Sequence, residues 1–391
     1  MGVSFLAKAA SLLLATATAS TTASAAATSA KGNYTEHLSE SFLSKGVTLS
    51  RNYAYAVLYT GIELAYNKTS NPVYYNYVKT QLDGVLNDDG SFVVPITSTL
   101  SLDDIRIGLN FLWLWSVTGE DKYKNAADYL RGQLDYTPRN PDGGFWHRRP
   151  TYPDQMWLDG IYMASNFYTQ YTAWFQPGNE TAWDDIINQY DLIEAHTRDN
   201  STGLLFHGYD ASGTAVWADP VTGAAPHIWD RAVGWYFMSL IEMLDYFPKT
   251  HAGYARNVKR FQTLAAAVKK SQDSASGGWW LIMDPPYPSD PRNYIESSGS
   301  AMFTYGLLRG IRKGLLKEKE YGKVARKGYE ALKRDFVGTN ANGTLNWEGT
   351  VQVGSLGSNG TFEYYISVPL AQNDYKGAGP FIYASYELEG Y

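Results

Sequence analysis

The chain has 391 residues, a formal net charge of −6, twelve Trp, thirty-one Tyr and no cysteine. That charge excludes the basic face a nucleic-acid partner requires, and the missing thiols exclude disulfides and thiolate metal sites. One large core must hold the fold, and an acidic substrate would have to meet a local positive pocket.

Taken in chain order, the first predicted element is a secretory leader. Lys8 precedes an apolar run at 9–17, and Ala23-Ser24-Ala25 fits a small-residue cleavage pattern. Residues 1–25 are therefore expected to be removed, leaving a secreted, extracellular protein from Ala26 onward. No later run reaches the roughly 18 apolar residues of a membrane helix, so no membrane partner is expected. Sequons at Asn33, Asn67, Asn179, Asn200, Asn342 and Asn359 agree with a eukaryotic secretory route and a glycoprotein. No linker interrupts the chain after Gly32, so 26–391 is read as one catalytic domain, expected to be a monomer.

Helical periodicity dominates the rest. In the stretch after Gly119, Tyr123, Ala126, Ala127, Leu130 and Leu134 share one face. Similar faces predict helices over 56–64, 105–115, 161–175, 232–247, 254–268, 301–311 and 321–336. Between them a glycine followed by bulky apolar residues returns at Gly90, Gly143, Gly203, Gly277 and Gly343, about 50 to 75 residues apart. Each such glycine is predicted to take a positive φ in a turn joining two helices. About six helical hairpins of that length fill the chain. Periodicity alone leaves two all-α outcomes open: a closed α/α toroid whose loops line a pocket at one end, or an open helical array.

Three stretches carry side chains capable of chemistry. Residues 143–163 hold His147, Arg148, Trp157 and Asp159, the last at the start of an apolar helical run, where it reads equally as an N-cap. In the stretch from His227 to Tyr236, Arg231 and Trp235 stand four residues apart on one helix face beside Trp229. A guanidinium fork and a ring so placed suit a sugar carboxylate and its pyranose. The plain alternative is a salt bridge from Arg231 to Asp230 or another acid. Asp103-Asp104 precede a helix containing Trp113 and Trp115; acids at a helix start favour its dipole, so at least one reads as structural. His207 follows the Gly203 turn, where simple solvent exposure is its plain reading. There is no His-x-x-x-His, calcium loop, thiolate or Gly-x-Ser-x-Gly elbow, so neither metal nor cofactor is expected and carboxylate chemistry remains.

At these stretches the chain resembles glycoside hydrolase family 105, the unsaturated rhamnogalacturonyl hydrolases. The likeness lies in Leu102-Asp103-Asp104-Ile105, Gly143-Gly144-Phe145-Trp146-His147, Met156-Trp157-Leu158-Asp159-Gly160, Trp229-Asp230-Arg231-Ala232-Val233-Gly234-Trp235 and Asn373-Asp374-Tyr375-Lys376-Gly377. The resemblance implies a (α/α)6 barrel that hydrolyses a terminal Δ4,5-unsaturated galacturonyl or glucuronyl residue from lyase-generated pectin and rhamnogalacturonan fragments. It also implies Asp159 as general acid and base, Asp103 as second carboxylate, and His147, Arg148, Trp157, His207, Trp229, Arg231 and Trp235 as pocket residues. Asp159 is expected to be held partly protonated by apolar surroundings. Two rivals stand beside this reading: an α-mannanase of family 76 working through Asp103-Asp104, and a sugar-binding protein without turnover.

Overall fold

The computed structural model describes residues 33–46, 48–96 and 99–390. The expected leader lies outside the described residues. In chain order the α-helices are α1 (Tyr34–Lys45), α2 (Tyr53–Thr69), α3 (Pro72–Asp83), α4 (Gly108–Thr118), α5 (Asp121–Asp135), α6 (Leu158–Gly160), α7 (Asn166–Phe175), α8 (Glu180–Thr197), α9 (Asp230–Met243), α10 (Ala252–Ser271), α11 (Ser297–Arg312), α12 (Glu318–Phe336), α13 (Phe362–Ser367) and α14 (Tyr375–Glu389). A π-helical turn at Ile161–Ser165 joins α6 to α7, and a 3-10 turn at Leu102–Ile105 leads towards α4.

Burial sorts these helices into two kinds. In α9 and α11 nearly every residue is buried, as expected for helices surrounded by protein. In α5 and α12 buried residues recur on one stripe only, and the remaining faces carry Lys, Arg, Asp and Glu. Contacts follow the same division. The helix α2 packs on α14, α14 on α11, α11 on α9, α9 on α6 and the π turn, these on the 3-10 turn, and the 3-10 turn on α2. Outside them α3 covers α2, α5 covers α4, α8 covers α7, α10 covers α9, α12 covers α11, and α1 lies on α14 and α2. The N-terminal helix thus packs against the C-terminal one, which the chain needs to bury α14 from both directions.

The glycine pattern meets its physical expectation. Gly90, Gly143, Gly203, Gly277 and Gly343 all have φ between +77° and +93°. Each turn closes alike: the N–H of Asn87, Asn140, Asp199, Asp273 or Asn340 donates to a carbonyl four or five residues on. The chain then leaves in extended form towards the next inner helix. Among the described residues four short antiparallel ribbons result, and a purely helical reading does not contain them. They are β1 (Leu100–Ser101) with β2 (Arg148–Arg149), β3 (Gln155–Trp157) with β4 (Gly208–Asp210), β5 (Val337–Thr339) with β6 (Leu345–Trp347), and β7 (Thr350–Val351) with β8 (Leu370–Ala371).

Two helical expectations are corrected. The face predicted over 105–115 is interrupted, because Ser101 and Asp104 form a capping box that closes a 3-10 turn before α4 begins. The face over 161–175 starts as a π turn. The helices α1, α3 and α8 went unpredicted: their buried stripes are diluted by Thr, Ser and Gln, which weakens the apolar period.

Candidate active site

The ribbons decide which side chains meet. β1 pairs Ser101 with Arg148, so Asp103, two residues past β1, lies beside His147 and Arg148. β3 pairs Trp157 with Gly208, so Asp159, two residues past β3, lies beside His207. A Cβ at Gly208 would press on the Met156 carbonyl and on Trp157, so this close pairing needs glycine. Backbone bonds repeat the construction three times: the amides of Leu102, Leu158 and Asp230 donate to the carbonyls of His147, His207 and Leu281. The residues immediately after those anchored amides are Asp103, Asp159 and Arg231. All three therefore begin inner helical segments at equivalent points.

Asp159 is not an N-cap, for that position belongs to Trp157 and Asp159 sits inside the first turn of α6. Its Oδ2 lies 3.0 Å from Nε2 of His207. The other ring nitrogen, Nδ1, lies 2.7 Å from the Tyr365 hydroxyl. His207 has 0% exposed side chain whereas Asp159 keeps 15%, so the carboxylate is the open end of this chain of bonds. The expectation of a partly protonated Asp159 is corrected here. Burial does push its carboxyl up, but the charge and hydrogen bond of His207, with His147 nearby, outweigh burial and hold it below its ordinary value.

Asp103 faces its neighbours with both oxygens, 3.9 Å from Nε2 of His147 and 3.4 Å from Nη2 of Arg148. Asp104 turns the other way and accepts from the Ser101 amide at 3.0 Å. His147 is stacked on Trp157, centroids 4.1 Å apart, and its Nδ1 is buried without a partner. Burial lowers the His147 pKa; Asp103 and Asp159 oppose that shift, and Arg148 and His207 add to it. The ring thus lies 3.9 Å from the Asp103 carboxylate and under the electrostatic influence of Asp159.

The Arg231 and Trp235 pair is arranged differently from its sequence expectation. Both side chains are 1% exposed. Arg231 donates to the Ser298 hydroxyl and to the backbone carbonyls of Val351 and Gln352, lies over the Trp229 ring, and stands 3.9 Å from the Glu296 carboxylate, the salt bridge to another acid that the sequence left open. Trp235 lies on Tyr162, centroids 4.8 Å apart, with Tyr53 against its edge. Trp229 is 1% exposed as well, so of the three predicted tryptophans Trp157 alone, at 6%, approaches the open side. The fork of Arg231 pins β7 and the segment after it. Nearby, Asp230 is raised well above its usual range by burial and by the Glu296 carboxylate.

Sequence reading missed Tyr53 and Tyr365. Burial raises the Tyr53 hydroxyl; Asp103 raises it further, Arg231 opposes, and Asp159 and Asp374 add to the rise. Tyr53 is therefore within reach of charges from the starts of the 3-10 turn, α6, α9 and α14, and is itself the first residue of α2. The available signal was position, since the site residues open inner helices. Tyr365 had none, because α13 spans only six residues. Among the described residues no group of three or more His, Cys, Asp or Glu is arranged to hold a metal ion.

Residues 24–391 match the family model described as Glycosyl Hydrolase Family 88. The structure of a glycoside hydrolase from family 105 of C. acetobutylicum ATCC 824 superposes with a TM-score of 0.87 at 36% identity, over 91% of this chain and 99% of that one. A protein of Agrobacterium fabrum, Atu3128, is 36% identical over 214 residues, 52% of this chain and 89% of its own length. The unsaturated rhamnogalacturonyl hydrolase YesR of Bacillus subtilis is 28% identical over 282 residues, 71% of this chain and 73% of its own.

Proposed function

The chain belongs to glycosyl hydrolase families 88 and 105, the unsaturated glycuronyl and rhamnogalacturonyl hydrolases, and from that premise we propose that it removes a terminal Δ4,5-unsaturated uronate from oligosaccharides left by a polysaccharide lyase. Galacturonyl ends of rhamnogalacturonan fragments are the substrate favoured by the likeness to YesR, and glucuronyl ends are the second. The observation that carries the reading is the partly open carboxylate of Asp159, bonded on its inner side to His207.

The substrate's C4=C5 bond is an enol ether through the ring oxygen. Asp159 protonates C4, which leaves an oxocarbenium-like centre at C5. The resulting carboxylate draws a proton from water as its oxygen attacks C5. Asp159 thereby regains its proton; the C5 hydroxyl loses its own proton as the bond from C5 to the ring oxygen breaks, and the hemiacetal so exposed at C1 releases the aglycone with that hydroxyl proton, so one water is consumed. This chemistry needs no second carboxylate across the glycosidic bond, unlike a double-displacement or inverting glycosidase. Asp103, beside His147 and Arg148, orients the sugar through its hydroxyls.

A uronate can bind an acidic protein because inner helices begin here. The longer helices α2, α9 and α14 begin in the region of Tyr53 and turn the positive ends of their dipoles towards it. Arg231 and Lys376 are the buried cations of the same region, paired with Glu296 and Asp374 respectively, while Arg148, beside Asp103, keeps more than a third of its side chain open. An α-mannanase using Asp103 and Asp104 together is disfavoured, because the Asp104 carboxylate is spent on the Ser101 amide. The contact cycle of the helices supports a (α/α)6 barrel. Export as a monomeric glycoprotein is part of the same reading; it draws support from the exposed sequon asparagines Asn67, Asn200, Asn342 and Asn359.

The test is incubation with lyase-digested rhamnogalacturonan, followed by the ultraviolet absorbance of the conjugated uronate. Loss of absorbance with release of one sugar per event is expected. Release of sugar from saturated mannan instead, or binding without turnover, would overturn the reading.

A further inference from the structure

His207 is held at both nitrogens inside the protein. Nε2 meets Oδ2 of Asp159 at 3.0 Å, and Nδ1 meets the Tyr365 hydroxyl at 2.7 Å. The ring packs between Trp157 and Trp229, 5.7 and 4.9 Å away, so it cannot rotate to exchange partners without moving a tryptophan. Tyr365 is equally fixed: it is buried, its ring lies beside Trp229, and its amide donates to the Thr361 carbonyl at the start of α13.

A neutral imidazole has one N–H, and which nitrogen carries it is set by the bond at the other. If Nδ1 carried it, Nε2 would accept, and a protonated Asp159 would turn its proton inward to His207, away from substrate. If Nε2 carries it, His207 donates to Oδ2, and the proton of Asp159 is left on Oδ1. This second state also suits the following step, since the Asp159 carboxylate still accepts from Nε2 after C4 is protonated.

We propose that Tyr365 is a positioning residue for the acid: its hydroxyl donates to Nδ1 of His207, places the ring's N–H on Nε2 towards Oδ2 of Asp159, and so leaves the transferable proton of Asp159 on Oδ1. A hydrogen bond donated to a ring nitrogen lowers the basicity of that nitrogen. With His207 cationic, the proton rests on the wrong atom of the pair. Other titratable groups bearing on this relay are His147 on the Asp159 side, and Asp284, Tyr364 and His227 beyond Tyr365. Asp284 is bonded to Nδ1 of His227 and to the Ile228 amide, so its charge is satisfied away from Tyr365.

The inference rests on Asp159 being the acid, and its test has an arm that does not. In protein labelled with nitrogen-15 histidine, with His207→Gln assigning the signal, His207 should show a protonated Nε2 and an unprotonated Nδ1 at neutral pH. A protonated Nδ1 in the wild type overturns the proposal whether or not the protein turns over lyase products, and it also decides the matter should Tyr365→Phe not fold. In Tyr365→Phe the Nδ1 signal should move towards protonation. With substrate, kcat of Tyr365→Phe should fall about tenfold at unchanged KM, a part of the weight of acid-base catalysis. The alkaline limb of its pH profile should move to higher pH, because the pair then holds its proton on the imidazole. In a His207→Gln background the same substitution should change kcat less than twofold. A superimposable pH profile, or a full tenfold loss in that background, would show that Tyr365 acts through packing alone.

Discussion

Asp159 has two oxygens with different tasks: Oδ2 is occupied by His207, and the side chain keeps only a narrow opening. Asp159→Asn should leave a folded protein whose kcat on the unsaturated substrate falls by about 10² or more, the usual weight of general acid-base catalysis. Near-normal turnover by that variant would remove Asp159 from the acid role. The adjacent acids separate by geometry. Asp104→Ala should cost about 1 kcal/mol of stability, as for loss of a cap, and leave turnover largely intact. Asp103→Ala should do the reverse, raising KM with little change in melting temperature. Thermal melts read beside steady-state kinetics distinguish them. Asp159 and Asp103 were legible as residues, but not which oxygen faces what. Arg231 was legible as a charge that could pair with an acid, as it does with Glu296, yet its fork also takes the backbone carbonyls of Val351 and Gln352, about 120 positions away, to which no side-chain pattern points.

The recurring element is an outer helix, a glycine turn, an extended segment, and then an inner helix. Its glycines should differ in tolerance. At Gly343 a Cβ would meet nothing within 4 Å, so Gly343→Ala should cost only the left-handed backbone, about 1–2 kcal/mol. At Gly90 the φ is similar, but a Cβ would run into the Lys122 carbonyl and Asn125, so Gly90→Ala should cost more. Denaturant midpoints of the two variants give the comparison, and equal losses would show that the turn yields. The repeat explains a coincidence in the sequence: His147 and His207 each follow a turn glycine by four residues, and each carbonyl anchors the helix start that bears Asp103 or Asp159. The glycines were visible because positive φ constrains residue type locally. The ribbons were not, since two- and three-residue pairings leave almost no periodicity to read.

Buried charge makes the whole molecule sensitive to pH. Glu63, in a cavity of about 200 Å³ that Arg106 and Glu242 also line, is pushed up to about 8 by burial, against an ordinary 4.5. Burial raises Glu242 in the same direction. A raised carboxyl binds its proton more tightly in the folded state, so between about pH 4.5 and 8 the folded chain holds the extra proton. Stability must therefore fall as pH rises through that window, by at most about 1.4 kcal/mol per unit for one group. Glu63→Gln should flatten this slope and melt higher than wild type near pH 8. Unfolding measured across pH 5 to 8 checks it, and parallel slopes for the two proteins would show that Glu63 is charged throughout.

Much about this protein was fixed by local rules acting on the sequence alone. Apolar spacing set most of the long helices, positive φ marked the five turns, and the blocks around Asp159 and Arg231 carried the family. Tertiary structure decided how those pieces are used. It gave Asp159 to His207, Asp104 to the Ser101 amide and Arg231 to the backbone near β7, and it brought Tyr53 and Tyr365 to a site neither advertises. The division has one physical cause. Helix period and turn chemistry are properties of neighbours in sequence, whereas the protonation of a buried carboxylate depends on groups that only the closed packing of distant helices can bring within 3 Å.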